Sequence, residues 1–288
     1  MPEPVPQSPA PAPPPQRPDL SSDLKSRIGP GIVMALIVVG LDWAGLRPFS
    51  ALMLGVGLVI SWEWSKVVRG TGTGVTFAVH ALSTAAATLL AAAGFAALGL
   101  AAVLAGAIII FTLEFGERPV ISALGAIYSG APAIALLWLR CDEPWGFWAV
   151  LFVIVVVAAT DVSAFVCGRT IGGPKLAPSL SPNKTWSGLI GGISAAAIAG
   201  GLFSFATGTH WFWLAVGGAV LGAVAQAGDL AESALKRNFG VKDASNLIPG
   251  HGGFMDRADG IIAAAVAAAL FALTVNPQAP AAALMLHP

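Results

Sequence analysis

The 288-residue sequence predicts an all-α, polytopic membrane protein with about nine transmembrane helices, and three observations carry that expectation. Apolar residues make up 56% of the chain and charged residues only 10%, whereas a soluble domain carries about 25% charged residues to cover its surface. Residues 70–113 and 185–228 each form a 44-residue interval without Asp, Glu, Lys or Arg. Such an interval holds two spans of about 20 residues joined by a tight turn. Finally, a nine-span chain puts 13 of its 15 Lys and Arg residues on one side and leaves only Arg47 and Arg140 on the other. That asymmetry is the positive-inside pattern, which assigns the basic side to the cytoplasm.

The elements follow in order. Nine prolines in the first 20 residues exclude a helix or a core, so residues 1–23 are expected to form a disordered cytoplasmic tail. They do not resemble a secretory signal, because the apolar run begins too late. Spans are expected at 28–46, 48–65, 74–94, 97–113, 120–139, 145–165, 187–206, 211–228 and 258–275, within a membrane-embedded domain covering 24–275. Trp145, Trp148, Trp211 and Trp213 suit interfacial anchors. Gly191, Gly192, Gly217, Gly218 and Gly222 suit close helix approach in lipid. Residues 276–288 are expected to be a short, loosely ordered tail. Cys141 and Cys167 form no metal or disulfide pattern, and the four histidines are too scattered for a zinc site.

Polar residues concentrate in two regions, 161–187 and 229–259, which the topology puts on the same cytoplasmic side. Asp161 ends an apolar run, where an acid needs a cavity, a partner or an ion. Residues 168–187 have too many glycines and prolines for one helix. They supply Arg169, Lys175, Lys184, Ser181 and Thr185, all suited to phosphate oxygens, ahead of a helix expected to start near Thr185 or Trp186. An ordinary basic loop would look similar. In the second region, Asp229, Glu232, Lys236 and Arg237 fall at helical offsets of three and four. Pro249, Gly250, Gly252 and Gly253 then make a turn before Asp256 and Asp259. Carboxylates that can hold magnesium, beside bases that neutralise phosphate, suit phosphoryl chemistry. A structural ion-pair network is the competing explanation, and it does not account for the glycine-rich turn.

The run from Ser233 through Lys236, Arg237, Lys242, Asp243, Ser245, Pro249, His251, Gly252, Gly253, Asp256 and Arg257 to Asp259 resembles the signature of the phosphatidate cytidylyltransferase (CDP-diacylglycerol synthase) family. Gly228-Asp229-Leu230-x-Glu232-Ser233 and the 161–188 region also resemble that family, with looser echoes at Glu63-Trp64 and at Tyr128, Gly130 and Pro132. The chain departs from the family pattern at Phe165, Gly173, Ser187 and Ala258. The resemblance implies transfer of the cytidylyl group of CTP to phosphatidic acid in a bacterial inner membrane, and a homodimer. Within it, Asp229 and Asp256 are expected to be the first Mg2+ ligands. Asp161, Glu232 and Asp259 would be supporting ligands, with room for a second cation.

Catalysis is expected from Asp229, Asp256, Lys236, Arg237 and Arg257. Substrate phosphates would be held by Lys242, Asp243, Ser233, His251, Gly252, Gly253, Arg169, Lys184, Ser181 and Thr185. The partners are CTP, phosphatidic acid and the lipid bilayer, and no nucleic acid is expected. A CTP-dependent polyprenol or phytol kinase and an ion-coupled transporter are the alternatives.

Overall fold

In lipid no water is present to satisfy backbone polar groups, so long apolar stretches close their hydrogen bonds internally as helices. The computed structural model describes residues 33–247 and 252–286. The expected 1–23 tail lies outside the described residues, as do Pro249, Gly250 and His251. Helix α1 is described over Val33–Trp43, and the start of the expected 28–46 span also lies outside. Eight helices long and apolar enough to cross a membrane follow among the described residues. They are α2 (Leu46–Arg69), α3 (Val75–Ala92), α4 (Ala96–Leu113), α5 (Pro119–Arg140), α6 (Gly146–Thr170), α7 (Trp186–Thr207), α8 (Trp211–Asn238) and α9 (Met255–Val275). The chain divides after Leu36 into two units, and everything described below belongs to the second, from Ile37.

Most boundaries fall within a few residues of those expected from charge-free intervals. The exceptions are instructive. Helix α8 runs ten residues beyond the expected end at 228, to Asn238, because Leu, Ala, Glu, Lys and Arg keep favouring helix after the apolar stretch stops. Helix α6 likewise continues to Thr170. The tail expected at 276–288 contains a further helix, α10 (Pro280–Leu286), instead of loose chain. Its Ala281, Ala283, Leu284 and Met285 join the main apolar core, and the Asp142 carboxylate accepts a hydrogen bond from Ala282 N–H at 2.9 Å. The segment is too short to cross a membrane, but its alanines and leucine pack against helices that do.

Small residues set the helix spacing. A methyl group added at Gly218 would lie 2.4 Å from the carbonyl oxygen of Ala196, and one at Gly200 would lie 2.2 Å from that of Leu214. Helices α7 and α8 therefore approach to backbone contact, as small residues permit in lipid. At Gly191 and Gly222 an added methyl would meet a neighbour at 2.5 and 2.7 Å and at Gly192 at 3.0 Å, whereas at Gly217 it would have ordinary contact distance. Polar side chains add directional contacts between spans. Ser61, Thr84 and Ser129 form a buried hydroxyl chain through α2, α3 and α5, with links of 3.2 and 2.9 Å.

The two ends of the helical array differ in charge. At one end Arg140 reaches the buried Asp42 at 2.6 Å and Glu143 at 2.5 Å. Alternation of the spans puts ten of the twelve described Lys and Arg residues at the opposite end, leaving Arg47 and Arg140 here. In a Cys141→Ala, Cys167→Ala background, new cysteines replacing the exposed Ser179 and Asn246 should therefore label from the same side of the membrane. One replacing His210 should label from the other side. Labelling of the first two from opposite sides would contradict this arrangement of spans.

Candidate active site

Region 168–187 is not a plain loop. Lys175–Ala177 (β1) and Ser181–Thr185 (β2) form an antiparallel ribbon, with Lys175 opposite Thr185 and Ala177 opposite Ser181. The ribbon is entered through Gly172 and Gly173, at φ 67° and 98°. Only glycine adopts such angles without strain, which gives a local reason for Gly173 in place of the family's usual Lys. Thr185 starts α7, its hydroxyl accepting from Gly188 N–H at 3.1 Å, the usual N-cap bond. The same hydroxyl lies 2.9 Å from that of Ser187, which donates to the Gly172 carbonyl at 2.5 Å. Thr185, expected among the phosphate ligands, is buried and occupied with this cap.

The ribbon brings the two polar regions together. Lys184 Nζ lies 2.7 Å from Asp229 Oδ2 on α8, and Ser233 Oγ donates to Asp229 Oδ1 at 3.4 Å. Arg237 ties the same elements, donating to the carbonyls of Leu180 at 3.4 Å and Val241 at 3.1 Å. The preceding residue, the largely buried Lys236, pairs with Glu232 Oε2 at 2.9 Å and also with Asp256 Oδ1 on α9. The expected helical surface of Asp229, Glu232 and Lys236 is thus present, and Asp256 faces it from the neighbouring helix.

Asp256 is held from its other side as well. Its Oδ2 accepts from Gly253 N–H at 2.7 Å and Ala244 N–H at 3.0 Å. A methyl group on Gly252, whose φ is 82°, would lie 2.9 Å from that same oxygen, and one on Gly253 would lie 2.5 Å from Glu63 Oε1. The glycine pair is therefore required where backbone wraps carboxylates closely. Asp259 accepts from its neighbour Gly260 N–H at 2.8 Å. Asp161, exposed on α6, is near enough to Asp229, Lys184 and Arg257 to interact electrostatically. Asp259 interacts in the same way with Asp229, Glu232 and Asp161. Acids from α6, α8 and α9 thus face one region.

Other expected residues sit further out. Lys242 and Asp243 are exposed beyond α8, and Ser181 is partly buried in β2. Arg169 is exposed on the last turn of α6, with its guanidinium 5.8 Å from the Phe165 ring centre. Arg257 is exposed on the first turn of α9. His251 lies outside the described residues.

Two residues that the sequence offered only as faint echoes lie beside the site. Glu63, wholly buried on α2, accepts from Ser245, Phe254 and Met255. Tyr128 on α5 interacts electrostatically with Glu232, Asp259, Asp256 and Asp229. Its hydroxyl and Glu232 Oε1 are both buried without a hydrogen-bond partner. An acid inside an apolar stretch was the available signal for Glu63.

Among the described residues, no three His, Cys, Asp or Glu side chains stand together as a ready metal cage. The donor chemistry nonetheless fits a hard divalent cation: the acids are carboxylates from three helices, and Glu232 Oε1 has a free acceptor. Lysines lie against Asp229, Glu232 and Asp256 in the arrangement seen.

Interleaved acids and bases at the ends of membrane spans suit chemistry on phosphate anions beside lipid. The chain belongs to the cytidylyltransferase family, whose pattern matches residues 25–275. A relative named phosphatidate cytidylyltransferase in Brucella suis biovar 1 is 41% identical over 266 residues, covering 91% of this chain and 98% of the relative. A protein of the same name in Bacillus subtilis is 31% identical over 254 residues, covering 83% and 94%. One in Rickettsia bellii is 41% identical over 137 residues, covering 45% and 59%.

The Lys236 ion pairs generate a stability prediction. Lys236→Gln leaves two largely buried carboxylates without their cation, and the expected loss is about 3 kcal/mol. The half-buried Lys184–Asp229 pair is expected to contribute about 1 kcal/mol or less when broken by Lys184→Gln. Unfolding midpoints in mixed micelles would check both values.

Proposed function

We propose that this chain transfers the cytidylyl group of CTP to phosphatidic acid, forming CDP-diacylglycerol and releasing pyrophosphate, at the cytoplasmic face of a bacterial inner membrane. The observation that carries the reading is the meeting of the Lys184–Asp229 and Lys236–Asp256 pairs at the basic ends of the spans, in a chain of the cytidylyltransferase family. The positive-inside pattern supports the orientation, and a homodimer is part of the same reading. The kinase and transporter alternatives draw no support from the family or from the relatives' names.

In this reaction a phosphatidate oxygen attacks the α-phosphorus of CTP, a new P–O bond forms, and the bond to the pyrophosphate oxygen breaks. A phosphate monoester near neutral pH already presents an anionic oxygen, so no strong general base is needed. Both reactants are polyanions, so the work of the site is positioning and charge neutralisation. Asp229 and Asp256 are the principal candidates to hold Mg2+, with Asp161, Glu232 and Asp259 in support. When bound, the ion supplies positive charge against the reacting phosphates.

Lys236, Arg237, Lys242 and Arg257 are assigned to the CTP phosphates and the departing pyrophosphate. Lys184 and Ser181 on the ribbon, with Arg169, are assigned to the lipid phosphate. Thr185 serves indirectly, by starting α7 where Lys184 must stand.

Purified protein with phosphatidate, labelled CTP and Mg2+ should form CDP-diacylglycerol and pyrophosphate, and chelation should stop it. Release of CDP with a phosphorylated lipid alcohol would overturn the reading. Asp229→Asn and Asp256→Asn should insert normally and lose about a hundredfold in turnover, the scale of one lost transition-state interaction. In steady-state kinetics with each substrate varied in turn, Lys184→Ala should chiefly weaken phosphatidate use and Arg237→Ala chiefly CTP use. The reverse pattern would invert the substrate map.

A further inference from the structure

Glu63 stands outside the machinery assigned above, on α2 and remote in sequence from every acid of the site. It is wholly buried, and all the partners described for it are neutral donors. Ser245 Oγ donates to Oε1 at 2.5 Å, Phe254 N–H to Oε1 at 2.8 Å, and Met255 N–H to Oε2 at 2.5 Å. The last two are backbone donors at the start of α9, a helix end with no cap from its own preceding side chain. Such an end leaves N–H groups unsatisfied and carries partial positive charge. A carboxylate from another helix thus does the work of the missing cap.

The geometry does more than cap. Ser245, inside the α8–α9 connection, and Met255, where α9 starts, are the two ends that Glu63 holds together. Asp256 holds the same two ends, through Ala244 N–H and Gly253 N–H. Gly253 has no room for a side chain because Glu63 Oε1 would lie 2.5 Å from it. The two carboxylates form a double clasp, of which Glu63 is the half that touches neither Lys236 nor the other acids.

We propose that Glu63 is a positioning residue for the cytidylyl transfer, acting through the α8–α9 connection to hold Asp256 at its place against Lys236. The proposal rests on the functional reading above, and the test separates the two. Glu63→Gln keeps the size of the side chain but turns an amide N–H towards backbone N–H groups. Full-length Glu63→Gln, Ser245→Ala and wild-type protein would be compared in detergent. Asp42→Asn, at the opposite end of the helices, serves as a control for general destabilisation.

Glu63→Gln should lose about 30-fold in kcat, with both KM values within about threefold, the scale of two lost hydrogen bonds. Trypsin cleavage after the exposed Lys242 should accelerate by about tenfold, as the clasp no longer suppresses local opening. Asp42→Asn should lower the unfolding midpoint and leave kcat and cleavage unchanged. Retained kcat, lost kcat with unchanged cleavage, or both changes reproduced by Asp42→Asn would each overturn the proposal.

Should Glu63→Gln fail to insert, Ser245→Ala decides. It removes one donor and should cost about fivefold in kcat with faster cleavage, and no change in either would overturn the clasp. Absence of CDP-diacylglycerol from the wild type would sink the functional reading, while the cleavage rates would still decide the clasp.

Discussion

Lys236 lies between Glu232 and Asp256, and much of the charged end of the molecule follows from the needs of those buried groups. A carboxylate removed from water requires a cation or several hydrogen-bond donors, since the cost of leaving it bare is several kcal/mol. Glu232 uses the cation, Asp256 uses the cation and two backbone N–H groups, and Glu63 uses backbone and hydroxyl donors alone. Satisfying all three demands a backbone that can wrap closely around oxygen atoms. That requirement accounts for glycine at 252 and 253 more directly than turn formation does. It also ties α2, α8 and α9 together at one end.

What could be seen in the sequence depended on how local the cause was. The spans were legible because apolar composition is a property of a segment by itself, and the start of α7 was legible because Thr185 caps its own helix. The shared face of Asp229, Glu232 and Lys236 was legible from spacing alone. The continuation of α8 to Asn238 was hidden because the apolar signal ends before the helix does. The β1–β2 ribbon was hidden by its prolines, and α10 by its length. Glu63 was the hardest to read: two of its three partners are backbone N–H groups almost two hundred residues away, and backbone donors leave no mark in a sequence.

The same distinction separates the residues proposed to work on substrate. Asp229, Asp256 and Lys236 were nominated as individuals by type and spacing, and the fold brings them into one constellation. Thr185 was nominated on the same grounds, yet its hydroxyl is consumed by a cap and by Ser187. Arg237 also makes backbone contacts that join the ribbon to the end of α8. A polar side chain near a site can be substrate-facing or scaffold-facing, and only its partners tell which.

The unbroken course of α8 has a consequence for where the reaction happens in depth. At 1.5 Å per residue the 28-residue helix is about 42 Å long, whereas the hydrocarbon core is about 30 Å thick. Measured along the axis from Trp211, a residue suited to an interfacial anchor, Asp229 lies about 27 Å away and Lys236 about 38 Å away. By this ruler Asp229 comes to within about 3 Å of the far edge of such a core, and Lys236 passes into the layer of headgroups. A phospholipid's phosphate already resides in that layer. The lipid can react there without being lifted from the bilayer, and the water-borne nucleotide need not enter the hydrocarbon.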